Sequence, residues 1–356
     1  MAEISWPQVI LALTSGVDLR PDQASWALEE IMEGRAGEAQ VAGFLVGMRA
    51  KGASGKELNA LVDVMLRHAV AVDVEQPVLD VVGTGGDQTG TVNISTMAAV
   101  VCAAAGARVV KHGNRAASSA CGSADVLESL GVAIELPAVA VAMCVRKVGI
   151  GFCYAPVYHP AMRHVAPVRR ELGVPTVFNI LGPLANPARP KAQLIGCADA
   201  KLAPVMAEAL ARRGVRALVV RGNDGMDEVT TAGVTSTWWA DEGAVGEGLI
   251  DAAAFGLARP DPGALKGGDP GENAEIAWRV LDGGSSGRLA FIRDAVAINA
   301  AVALTVLEEQ FMDVGEPLPC RIAANLPRAR DVMESGAAGE VLRRWIEVSR
   351  DLARLT

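Results

Sequence analysis

At 356 residues the chain exceeds the roughly 100 to 200 residues of a typical single domain, so two units or one enlarged domain are expected. Its residues are 51% hydrophobic but only 4% aromatic, with 38 glycines, which points to a core of Ala, Val, Leu and Ile such as helix-covered parallel sheets use. A formal net charge of -8 argues against nucleic acid or an anionic membrane as a general partner, since both reward a basic surface, so any anionic ligand needs a local cluster of cations.

Residues 1–6 carry no basic stretch of the kind that opens a secretory leader, and the longest apolar run, 97–107, falls short of the roughly 20 residues of a membrane span, so a cytoplasmic protein is expected. Residues 1–72 read as a helical unit. Ser5 and Gln8 have capping-box spacing, while Val41, Phe44, Leu45 and Met48, and again Leu58, Leu61, Val62 and Met65, each fall on one helical face. From about residue 73 the pattern changes to strand, glycine-rich loop and Ala-rich helix. Strands are predicted over 78–82, 108–110, 132–136, 193–196 and 216–220, with helices after Ser123 and over 203–213. That alternation belongs to a parallel sheet. The stretch 267–271 reads as a surface loop, and helices around 294–307 and 340–352 are expected to cover the sheet. The six cysteines lack C-x-x-C spacing and the four histidines are scattered, so reduced, mostly buried thiols are expected rather than a metal cage.

Gly83-Thr84-Gly85-Gly86-Asp87 directly follows the first strand, where missing side chains let backbone N–H groups approach a pyrophosphate. A glycine turn without a ligand would look the same. Thr91, Asn93, Ser95 and Thr96 then place hydroxyl and amide groups at the start of the next helix, whose N-terminus favours anions, and capping alone explains only one of them. Ser95 also resembles the hydroxyl ligand of Mg²⁺ in a phosphate loop. The run Lys111-His112-Gly113-Asn114-Arg115 continues through Ala116, Ala117, Ser118 and Ser119, and between Asp87 and Asp125 there are three Lys/Arg residues and no carboxylate. A solvated basic loop is the plain alternative. His112 could be a structural residue as readily as a base. Further on, Arg169 or Arg170 offers a planar fork for a carboxylate, and Asp227-Glu228 pairs two carboxylates in a turn.

Together these stretches closely resemble the anthranilate phosphoribosyltransferase family. The carrying motifs are GTGGD at 83–87, NIST at 93–96, KHGNR at 111–115, GSADVLE at 122–128, HPAMRHVAPVRRELG at 159–173, FNILGPLANP at 178–187 and DE at 227–228, in family order over nearly the whole chain. The resemblance implies an α/β fold in which a small N-terminal helical domain (1–72, completed by part of 165–187) is hinged to a large α/β domain (73–356) with a central, mainly parallel sheet, like that of nucleoside phosphorylases. It further implies a homodimer. Gly83, Gly86, Asp87, Thr91, Asn93, Ser95 and Thr96, with Lys111, His112, Gly113, Asn114, Arg115, Ala116, Ala117, Ser118, Ser119 and Ser123, would bind phosphoribosyl pyrophosphate. Ser95, Asp227 and Glu228 would hold Mg²⁺, and Gly83, Asn114 and Arg169 would contact anthranilate. No general base is assigned, because an aromatic amine loses its proton readily once the new bond forms. One departure is visible at Ala120-Cys121, where the family often has Lys-Ser. A pyrimidine nucleoside phosphorylase is the alternative enzyme, disfavoured because phosphorolysis has no pyrophosphate needing Mg²⁺. A non-catalytic nucleic-acid-binding relative is disfavoured by the charge and the full GTGGD and KHGN segments.

Overall fold

A computed structural model describes residues 4–116, 120–261, 263–309, 311–312 and 316–355. The chain opens with four helices, α1 (Trp6–Thr14), α2 (Pro21–Met32), α3 (Glu38–Lys51) and α4 (Gly55–Arg67). Both apolar stripes read from the sequence are buried: Phe44, Leu45 and Met48 on α3, and Leu58, Leu61 and Val62 on α4. The working capping box is at Ser54, whose hydroxyl accepts from the Glu57 amide while Glu57 returns a bond to the Ser54 amide at 2.8 Å. Ser5 precedes α1 but makes no side-chain cap bond, since Pro7 already presets the first turn.

A seven-stranded sheet follows, in the order β3-β2-β1-β4-β5-β6-β7. Its strands are β1 (Leu79–Gly83), β2 (Val109–Gly113), β3 (Ile150–Tyr154), β4 (Ala192–Gly196), β5 (Arg216–Gly222), β6 (Val234–Asp241) and β7 (Ala244–Asp251). The first five are parallel, and β6 and β7 add an antiparallel hairpin that the sequence reading does not contain. The helices are α5 (Ile94–Ala104), α6 (Ser123–Leu130), α7 (Ala138–Val148), α8 (Ala155–Tyr158), α9 (Ala166–Leu172), α10 (Phe178–Leu184), α11 (Ala203–Arg212), α12 (Pro270–Leu281), α13 (Arg288–Leu307), α14 (Leu318–Glu334) and α15 (Ala337–Ala353).

Successive strand residues point to opposite faces and so divide the core in two. Leu79, Val81, Leu194, Leu218 and Val220 enter the cluster built with α5, α13 and α15, while Val82, Ile195, Ala217 and Val219 join the cluster formed by α1–α4, α9, α10 and α11. The helical unit is therefore a layer on the sheet's second face, and the segment 165–185 is part of its core. The predicted strand at 132–136 is a correction: those residues form a connection without a ladder, because the Ala133 amide is taken by the Ser349 hydroxyl of α15 at 3.1 Å. Among the described helices α13 alone is long and apolar enough to cross a membrane, and it lies in the core, with residues such as Val296, Ile298 and Val302 fully buried. Five of the six cysteines are buried and none of the six is in a disulfide.

Candidate active site

The parallel strands β1, β2, β4 and β5 end at one edge of the sheet, where loops of α/β folds gather their ligands. Gly85 (φ +66°) and Gly86 (φ +81°) turn the chain sharply after β1, in the left-handed region that glycine enters without cost. Two other glycines are small for a different reason. A Cβ on Gly83 would collide with the Asp227 carboxylate, and one on Gly196 with the Asp227 carbonyl, so the ends of β1 and β4 form a slot for Asp227. The Gly85 amide donates to Asp227 Oδ2 at 2.7 Å, fixing the carboxylate against the loop. Gly196 escapes sequence reading because a lone glycine after a strand looks like any turn; its pairing with Gly83 at matching strand ends is the signal that reveals it.

Next to Asp227, Glu228 is half-buried and accepts from the Ser95 amide at 3.2 Å. Burial and then the neighbouring Asp87 carboxylate push the Asp227 carboxyl up to about 6. Burial and Asp227 push Glu228 well above the ordinary carboxylate range. The facing cation is Lys111, 2% exposed, whose Nζ donates to the Val81 carbonyl at 2.5 Å and to Ser95 Oγ at 3.3 Å. Burial lowers its pKa, and Asp80, Glu228 and Asp227 oppose that effect. Several buried carboxylates crowd one lysine, and the Thr96 hydroxyl nearby in α5 is buried without a partner. An all-oxygen donor set of Ser95 Oγ, Asp227 and Glu228 with surplus negative charge suits a hard divalent cation such as Mg²⁺.

Lys111 and His112 lie within β2 rather than beyond it, and the strand runs on to Gly113. His112 Nδ1 pairs with the Gly182 carbonyl at 3.0 Å, while its Nε2 is buried without a partner. Asn114 is exposed, and its carbonyl accepts from the Ser123 hydroxyl at 3.3 Å. Ser123 is the first residue of α6, after Gly122 at the cap position. Arg115 is turned sideways: its guanidinium bonds Glu128 at 2.8 and 3.1 Å, Asp125 at 3.1 Å and the Tyr154 hydroxyl at 3.1 Å. Asp125 also receives the Ala116 and Gly122 amides at 2.8 and 2.9 Å, so one carboxylate ties both ends of the loop. Ala116 is described; Ala117, Ser118 and Ser119 lie outside the described residues. Asn93 donates to the Cys121 carbonyl at 3.1 Å, and Thr91 pairs with Lys266 in an isolated bridge. The Gly267 amide donates to the Gly90 carbonyl at 2.8 Å and α12 already begins at Pro270, so the stretch 267–271 is tied to the first loop and is not wholly loop.

Arg169 is half-buried over the Phe178 ring at 5.5 Å, with Asn179 Oδ1 at 3.4 Å. Burial lowers its pKa, and among the described residues no carboxylate pairs with it. Arg170 is exposed. From Asn179, α10 runs to Gly182 and hence to His112, so Arg169 belongs to the same side of the site as the end of β2. A separate grouping of Glu29, Glu33 and His68 sits on α2 and at the end of α4, where Arg67 and Arg35 already pair with its carboxylates.

Known proteins resemble this chain in sequence and in fold. The profile of the glycosyl transferase family, a/b domain, matches residues 75–339, and that of the glycosyl transferase family, helical bundle domain, matches residues 7–69. The chain is 52% identical over 353 residues to the anthranilate phosphoribosyltransferase of Salinispora arenicola, covering 98% of both chains. It is 52% identical over 342 residues to that of a Nocardioides species, covering 96% of this chain and 98% of the relative. Among solved structures, anthranilate phosphoribosyltransferase from Thermus thermophilus superposes with a TM-score of 0.86 at 42% identity, over 96% of this chain and 99% of that one. The Saccharomyces cerevisiae enzyme in complex with phosphoribosyl pyrophosphate and Mg superposes with a TM-score of 0.85 at 28% identity, over 97% and 98%.

Proposed function

The chain belongs to the anthranilate phosphoribosyltransferase family, and on that premise we propose how its own residues carry out the family's reaction. It is an enzyme of tryptophan biosynthesis that transfers the phosphoribosyl group of phosphoribosyl pyrophosphate to the amine of anthranilate, releasing pyrophosphate. The observation that carries the site assignment is the grouping of buried Asp227 and Lys111 with half-buried Glu228 at the strand ends, closed by the Gly85 amide and by Ser95. Gly83, Gly86, Asp87, Thr91, Asn93, Ser95, Thr96, the segment 111–119 and Ser123 bind phosphoribosyl pyrophosphate through loop amides, hydroxyls and the Lys111 ammonium. Ser95, Asp227 and Glu228 hold Mg²⁺, which supplies charge neutralisation for the leaving pyrophosphate. A site holding the yeast relative's two ligands, phosphoribosyl pyrophosphate and Mg, needs these same donor types.

Pyrophosphate leaves only when its developing negative charge is absorbed, and a cation fixed beforehand in a water-poor site does this without reorganising. Lys111 is such a cation, held by Val81 and Ser95. Arg169 grips the acceptor's carboxylate, a role supported by its half-buried guanidinium having no carboxylate of its own among the described residues, and Asn114 adds an amide contact. Positioning then supplies most of the rate. The enzyme works in the cytoplasm and as a homodimer, the dimer being supported by the exposed apolar side chains Leu11, Val17 and Val46 on the helical unit. Loss of anthranilate fluorescence in the presence of phosphoribosyl pyrophosphate and Mg²⁺ tests the reading. No loss would overturn the activity, and undiminished turnover in excess chelator would overturn the metal's part.

A further inference from the structure

Asn273, four residues into α12, is 3% exposed and has no assigned part in the reaction. Its carboxamide stands where three loops meet. Nδ2 donates to Asn93 Oδ1 at 3.0 Å, Oδ1 accepts from the Gly268 amide at 2.8 Å, and the Cys121 thiol bonds to the same carboxamide. Asn93 in turn donates to the Cys121 carbonyl at 3.1 Å. The loops concerned run from β1 to α5, from β2 to α6, and from the hairpin to α12. Their backbones are also laced together, the Val92 amide to the Leu265 carbonyl at 2.9 Å and the Gly267 amide to the Gly90 carbonyl at 2.8 Å. Gly267 must lack a side chain for this, since a Cβ there would lie 2.7 Å from Asn273 Oδ1.

A second feature shows that the arrangement steers Asn93 rather than only filling space. Asparagine at a helix N-cap normally accepts from an amide of its own first turn. Asn93 occupies the N-cap of α5 yet makes no such bond. With both ends of its amide engaged by Asn273 and Cys121, it cannot turn inward, and the Ser95 amide is left to Glu228 Oε1. Removing Asn273 would free Asn93 to swing onto its own helix and compete with Glu228.

We propose that Asn273 is a positioning residue for phosphoribosyl pyrophosphate, acting by holding the Asn93 carboxamide between the loops that cradle the pyrophosphate. The proposal rests on the site reading given above. Steady-state kinetics at saturating anthranilate and Mg²⁺ would compare Asn273→Ala, Asn273→Asp, Asn93→Ala and the double variant Asn273→Ala/Asn93→Ala, with Tm measured for each. Asn273→Asp still accepts from Gly268 but cannot donate to Asn93, which separates steering from folding. Both Asn273 variants are expected to raise KM for phosphoribosyl pyrophosphate about tenfold, with kcat and the anthranilate KM changed less than about twofold. The double variant should be no worse than Asn93→Ala, because the two residues act as one unit. The proposal is overturned if Asn273→Asp keeps the natural KM while Asn93→Ala does not, if the two effects multiply, or if kcat, both KM values and Tm all worsen together. An unchanged KM in Asn93→Ala would instead remove Asn93 from the site, and with it the basis for this role.

Discussion

Arg169 and Arg170 are adjacent in sequence, and their surroundings separate them. Arg169 lies over Phe178 with its pKa lowered by burial, while Arg170 faces solvent. Arg169→Ala is expected to raise the anthranilate KM by tenfold or more, on the order of a lost charge-assisted bond, and Arg170→Ala to cost under about 0.5 kcal/mol. Kinetics on both variants check this, and the reverse pattern would overturn the assignment. Lys111→Ala removes the one buried cation facing Asp227 and Glu228 among the described residues, so the use of phosphoribosyl pyrophosphate should weaken by roughly 1.5 to 3 kcal/mol in kcat/KM. An unchanged kcat/KM for that substrate would take Lys111 out of the site. Residue types that carry charge were legible in the sequence, because an acid-free stretch in an acidic chain stands out. Gly196, Asp80 and Asn273 were not, since each takes its meaning from a partner distant in sequence: Asp227, the His112 amide and Asn93 respectively.

At the scale of elements, the loop between β2 and α6 depends on Asp125. Partial burial works to raise its pKa, but the Ala116 and Gly122 amides and Arg115 outweigh this and hold its carboxyl below the ordinary range. Asp125→Ala removes the one oxygen, Oδ2, that accepts both amides and also loses the ion pair with Arg115, so two loop ends are loosened at once. Unfolding free energy should fall by about 1 to 3 kcal/mol, together with a raised KM for phosphoribosyl pyrophosphate. Unaltered stability in denaturant titration would show that the loop does not rely on it. The carboxylate pair makes a separate prediction. Asp227→Asn and Glu228→Gln should each lower the rate sharply while the folded state persists, with the dependence on Mg²⁺ concentration moved to higher values, and full activity of both variants in excess chelator would exclude the metal role. Periodicity identified α3, α4 and the parallel strands β1, β2, β4 and β5, because burial on one face or both imposes a clear pattern, but it missed the parallel strand β3. It failed at 132–136, an apolar run whose backbone is bonded to α15, and at β6–β7, where Trp238 and Trp239 interrupt any simple alternation.

The two parts of the molecule are joined where the segment returning from the helical unit crosses β1 and β2. Asn186 Nδ2 donates to Asp80 Oδ2 and to the Val110 carbonyl, both at 2.8 Å, and the His112 and His159 rings lie with centroids 5.0 Å apart. Both imidazoles are buried with Nε2 unpartnered, so protonating either would place a charge at a dry junction. Burial lowers the His159 pKa to about 4 against a bond that the ring donates to the Ala185 backbone, and burial with His159 beside it lowers His112 to about 3. The sign of the consequence follows from linkage. Both histidines are neutral in the folded protein down to those values, whereas in the unfolded chain they take up protons near pH 6.5. Stability from keeping them neutral is therefore complete above about pH 6.5 and is lost as pH falls toward 4, by up to about 1.4 kcal/mol per pH unit for each histidine. Asp80, raised to about 6 chiefly by burial, has the opposite effect, its penalty easing as pH falls through that value. A single stability curve would mix the two. The difference between the natural protein and His159→Asn isolates the histidine, because Asp80 is common to both and asparagine does not titrate. That difference in unfolding free energy should shrink, or turn in favour of the variant, between pH 7 and pH 5 in denaturant titrations at constant ionic strength. A difference that stays level across that range would mean that His159 is already exposed to protons in the folded state, and the junction between the helical layer and the sheet would then have to be open to water.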